Sequence, residues 1–285
     1  MSTAVIPARD PVQTALELRA QGQLRQALDA LSVLGDFPAD FYTLRGDLQM
    51  ELDQTKEAAG SYFTAVASEP DNVYAQCNLG LCLRRLERWE QAAEALQAVL
   101  KLDPHRDESR LDLGDCLLHL NRYEEALVCF DQCWSEAARR RALFGKAVAL
   151  QLLRRFDQAE TCYERFLTLD PGAEEALSNL IAMCVEVFDL ERIQRYSRRL
   201  LDLDPRSAAA LKGLALVAIE RREQEQAARF FARAAELDAD TIYAARSATH
   251  SAKQREHGDS IIEYRLSREV LDRLTQAGRA RAAGK

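Results

Sequence analysis

Glycine and proline are scarce in this 285-residue sequence, at 12 and 7 residues over its whole length. That scarcity leaves no segment with the composition of a flexible linker, and it suits a chain that is mostly helix joined by short turns. No run of about eighteen apolar residues occurs, so no segment reads as a membrane-spanning helix. The opening MSTAVIPARDP lacks the basic stretch and apolar core of an export leader, and the expected location is cytoplasmic. Seven cysteines, an odd number scattered singly through helical patterns, fit reduced thiols serving as small buried hydrophobes better than a disulfide framework.

Excess positive charge is also missing. The formal net charge is -7, which argues against nucleic acid or an anionic membrane as a general partner, since both would repel the chain on average. The longest basic run, Arg139-Arg140-Arg141, reads as a solvated helix face.

Catalytic signatures are absent as well. There is no glycine-rich phosphate loop, no G-x-S-x-G and no H-E-x-x-H. His105, His119, His250 and His257 are isolated from one another. Cys129 and Cys133 lie one helical turn apart without the close-set pairs that structural zinc prefers. The expectation is a protein with no enzymatic activity, no cofactor and no metal.

What the sequence does contain is a repeat. Pro70 and Pro104 are 34 residues apart in phrases of one kind (AVASEPDN, VLKLDPHR), and so are Pro171 and Pro205 (FLTLDPGA, LLDLDPRS). Between them an aromatic, an acidic or amide pair and an alanine recur in RWEQAAEAL, RYEEALVCF and RFDQAETCY. The alanines are Ala58, Ala92, Ala126, Ala159 and Ala227, and twelve residues before each stands a small residue: Gly46, Gly80, Gly114, Ala147 and Ala215. Apolar residues at helical spacing, such as Leu79, Leu83 and Leu86, then Ala92, Leu96 and Val99, make each copy a helical hairpin.

Small residue, aromatic, alanine and closing proline in a 34-residue period resemble the tetratricopeptide repeat. The resemblance implies an all-α, right-handed superhelical solenoid of stacked helical hairpins. The copies are expected at 39–72, 73–106, 107–139, 140–173, 174–207 and 208–241. Residues 1–38 hold a degenerate capping copy, with Asp10 as N-cap and Pro11 at the first helical position. Residues 242–285 are expected to hold capping helices, Ile242–Glu256 and Ser260–Ala277, and a disordered tail.

Two copies depart from the pattern. The copy at 107–139 is one residue short, with CWSEAARRRA in place of a closing proline. The copy at 174–207 has Ile181 and Ile193 at the small sites, which predicts two helices set farther apart.

The resemblance further implies a concave groove lined by the first helix of each hairpin, in which family members hold peptides or partner helices. The positions expected to bind are Asp47, Glu51, Tyr74, Asn78, Leu81, Arg85, Asp112, Asp115, Phe144, Val148 and Asn179. Carboxylates in the first half and apolar residues in the second suggest a peptide basic at one end and apolar at the other. The clamp that grips the acidic C-terminus of heat-shock chaperones is lacking: Thr43, Asp47, Glu108 and Asp112 stand where it needs cations and an asparagine. The function expected is a protein-interaction scaffold or adaptor. Self-assembly with further copies of the chain, a regulatory subunit of a separately encoded enzyme, and a chaperone of an exported protein are the alternatives.

Overall fold

A computed structural model describes residues 10–33, 35, 37–234 and 237. The expected helices Ile242–Glu256 and Ser260–Ala277, and the tail, lie outside these residues. The chain divides into two compact units, residues 1–145 and 146–285. In the first unit are α1 (Pro11–Ala20), α2 (Leu24–Ala30), α3 (Ala39–Glu51), α4 (Thr55–Ser68), α5 (Val73–Arg85), α6 (Trp89–Leu102), α7 (Asp107–His119) and α8 (Tyr123–Asp131). α9 (Glu136–Leu152) contributes residues to both. The second unit continues with α10 (Phe156–Leu169), α11 (Glu174–Glu186), α12 (Leu190–Leu203), α13 (Ala208–Glu220) and helical residues 224–234. Among the described residues there is no strand, and no helix is long and apolar enough to cross a membrane.

Within each unit, hairpins stack in chain order: α3 packs on α4, α4 on α5, α5 on α6 and α6 on α7, as α11 packs on α12 and α12 on α13. The starts and stops are local. Asp10, Asn72, Asp189 and Ser207 cap helices by accepting a backbone N–H, and Pro11 sits in the first turn of α1. From α3 onward each first helix ends on a residue in the left-handed region, at Asp53, Glu87, Asn121, Arg154, Phe188 and Arg222, with φ between 57° and 62°. The next residue then reaches back to the helix: Gln54 N–H donates to Gln49 O at 2.8 Å, and Arg88 N–H to Leu83 O at 2.8 Å. Second helices end where Glu69, Asp103, Asp170 and Asp204 turn extended before a proline, whose ring disfavours helical geometry in the residue ahead of it.

The small residues are small because of what faces them sixteen positions later. A Cβ added to Gly46 would lie 2.7 Å from the Tyr62 ring, one on Gly114 2.6 Å from Phe130, and one on Gly80 3.1 Å from Leu96. The alanines Ala58, Ala92, Ala126 and Ala159 are fully buried. In the copy with Ile181 and Ile193, the sizes are exchanged. Ser197 stands where the other copies have a large side chain, and a Cβ on Gly213 would meet Ile181 and Ile193 each at 3.3 Å. The added volume is met by small neighbours at Ser197 and Gly213.

The boundary at 139/140 also shifts. α9 begins at Glu136, four residues early, and α8 stops after nine residues. Without a proline, the link is set by Asp107, whose carboxylate accepts from the backbone N–H of Trp134 at 3.0 Å and Ser135 at 2.6 Å. Ser135 Oγ in turn accepts from Ala138 N–H at 3.3 Å, starting α9 early.

Candidate protein-interaction surface

The first helices of the first unit carry two ionic networks. In the first, Asp47 on α3 accepts from the Tyr62 hydroxyl at 2.6 Å and the Tyr74 hydroxyl at 3.1 Å, while Arg19 Nε on α1 donates to Glu51 at 2.8 Å. Burial, then the hydrogen bond to Asp47, raises the Tyr62 hydroxyl's pKa. Burial and the Asp47 charge do the same for Tyr74, so both stay protonated donors.

The second network joins α5, α7 and α9. Arg84 lies 2.5 Å from Asp112 and 3.4 Å from Asp115. Arg141 Nη2 lies 2.7 Å and 2.6 Å from the same two carboxylates, with Glu108 3.4 Å away. Arg84 is only 8% exposed and Asp115 7%. Burial raises the Asp115 carboxyl to about 6, against the opposing charges of Arg141 and Arg84, which leaves it ionised at neutral pH. Desolvation lowers Arg141, but Asp115 and Asp112 outweigh it and the net shift is upward. At the centre of this network two cations, Arg84 and Arg141, close on two anions, Asp112 and Asp115, with Glu108 at its exposed edge.

These networks change what the predicted lining can do. Asp115 and Val148, the latter 2% exposed, are core residues and corrections to the expected lining. Asp47 and Asp112 are partly buried and already paired, so the expected attraction of this half for a basic peptide is largely spent inside the protein. Arg141 is likewise a correction: its place in a run of three arginines suggested solvation, and the structure puts it, about one-third exposed, in an ion cluster with Asp112 and Asp115. Glu51 is exposed and bound to Arg19; Phe144, and Asn179 in the second unit, are half-buried.

One stripe of the expected lining lies on α5: Tyr74, exposed at 54%, Asn78 and Leu81, half-buried, and Arg85, exposed. They fall at i, i+4, i+7 and i+11, within about 40° of one line along a helix. Beyond its edge the Trp89 and His119 rings stack at 3.8 Å, 3° from parallel, and burial and the Arg84 charge lower the His119 pKa, keeping the imidazole neutral at pH 7.

A tetratricopeptide-repeat family model matches residues 43–90 and 77–130, and a second matches 141–172. Over these residues the chain carries tetratricopeptide repeats. Solved structures similar to it include a tetratricopeptide repeat protein from Parabacteroides merdae, with TM-score 0.57 and 16% identity over 93% of this chain and 97% of that one. Another is the C-terminal part of a repeat-containing protein from Cytophaga hutchinsonii, with TM-score 0.66 and 14% identity over 80% and 95%. A third is PilW, described as a widely conserved type IV pilus biogenesis factor, with TM-score 0.58 and 20% identity over 72% and 94%. At these identities the likeness speaks for the fold. No curated protein matches the sequence. Tetratricopeptide-repeat proteins are in general protein-interaction scaffolds.

Proposed function

We propose that this protein is a non-catalytic adaptor that holds a partner polypeptide on the first-helix face of its first unit, in the cytoplasm. The observation that carries the reading is the α5 stripe: an exposed aromatic ring, a half-buried amide and leucine, and an exposed arginine, flanked on both sides by side chains that satisfy one another. A few anchors of this kind supply most of the energy at protein interfaces, and arginine and tyrosine are prominent among them. Seven free cysteines, four of them buried, support a reducing compartment.

The test is affinity capture from native extract with wild type and with Tyr74→Ala/Leu81→Glu, both exposed or half-exposed changes that leave the core alone. Partners held by wild type and lost by the variant support the reading. Partners held equally by both place binding elsewhere, and capture of the same chain alone favours self-assembly.

A further inference from the structure

The open stripe is also a ruler. Tyr74 and Arg85 are eleven residues apart on one helix, about 16 Å at 1.5 Å per residue, and an extended strand covers that span in about five residues. Their chemistry differs. The Tyr74 ring is exposed, but its hydroxyl is tied to Asp47, so what it offers a ligand is an apolar, π-rich face. Arg85 is exposed and makes no ion pair among the described residues, whereas Arg19, Arg84 and Arg141 are all committed to carboxylates. The stripe thus has one uncommitted cation at its C-terminal end and an aromatic at its N-terminal end.

Resting on the adaptor reading, we infer that the partner is an extended segment with an acidic residue and an aromatic or large aliphatic residue about five positions apart, the acid on Arg85 and the apolar side chain on Tyr74. The charge preference is opposite to the one the count of groove carboxylates suggests, because each of those carboxylates already faces an arginine of the protein. Arg85 supplies register and discrimination, and burial against Tyr74 and Leu81 supplies most of the affinity.

The test is selection of a displayed library of random dodecapeptides on the full chain, on Arg85→Glu and on Tyr74→Ala/Leu81→Glu, with thermal melts confirming that each variant folds. On wild type, the expected enrichment is Asp or Glu four to six positions from Phe, Tyr, Trp or Leu. On Arg85→Glu the acidic position should change to Lys or Arg, with at least tenfold loss of the original peptides, a switch that misfolding cannot produce. Peptides that survive Arg85→Glu unchanged, or basic peptides enriched on wild type, overturn the ruler while leaving the adaptor reading in place. Peptides indifferent to Tyr74→Ala/Leu81→Glu, or no enrichment at all, overturn both.

Discussion

Arg141 on α9 donates to Asp115 on α7 at 2.6 Å, across two helices that are consecutive first helices of neighbouring repeats. Removing one partner of such a pair strands the other charge where water reaches it poorly, which costs more than the pair itself contributes. Arg141→Ala should therefore lower the unfolding free energy by roughly 2–4 kcal/mol, below the top of the range for buried pairs because Arg141 is about one-third exposed. Urea denaturation reads this directly. A loss within the 0–1 kcal/mol typical of surface pairs would show that solvent screens the cluster.

Phe188 carries a bulky side chain at φ 58° and is 52% exposed. Its left-handed backbone costs about 1–2 kcal/mol for a residue with a Cβ, and little packing is lost on truncation. Phe188→Gly should raise stability by about 0.5–1 kcal/mol after the entropy cost of glycine, and Phe188→Val should lower it. Midpoints shifting in one direction for both variants would contradict the assignment of strain to this position.

Gly114 and Gly60 are both helical, with opposite surroundings. A Cβ on Gly114 would meet the Phe130 ring at 2.6 Å, whereas one on Gly60 meets nothing within 4 Å. Gly114→Ala should destabilise by about 1–3 kcal/mol through overpacking, and Gly60→Ala should stabilise by about 0.5–1 kcal/mol through helix propensity. Adding Phe130→Leu should rescue part of the Gly114→Ala loss, because the Gly80 and Leu96 pair leaves a longer approach of 3.1 Å.

Burial pushes the Asp107 carboxyl up, but the N–H groups of Ser135 and Trp134 and the Arg110 charge outweigh it and hold its pKa below the ordinary value. The unfolded chain, near 3.9 for a free Asp, therefore binds the proton more readily than the folded chain. Asp107 contributes stability in full above about pH 4, and the contribution is lost as pH falls through the lower folded value. The stability difference between wild type and Asp107→Asn should be constant from pH 5 to 7 and shrink below pH 4. A difference that grows on acidification would reverse the assigned direction.

Local chemistry in the sequence determines the repeat, the helix starts at Asp10, Asn72 and Ser207, the proline-closed turns and the glycine and alanine contacts. Each depends on residues a few positions apart or on a fixed 34-residue phase, and both are visible along one dimension. Sequence also carries the exposure of Tyr74 and Arg85, since their phase on α5 follows from the same register.

Only the tertiary structure decided which charges are spent. Arg84, Asp112, Asp115 and Arg141 come from three helices, up to 57 residues apart in the chain, and whether an arginine folds back on a carboxylate or reaches into water depends on rotamers and neighbours that periodicity does not encode. The early start of α9 has the same origin, because the carboxylate that replaces the missing proline lies 28 residues upstream, on Asp107. Spacing along the chain names the residues on a face; pairing across helices decides which of them a partner can use.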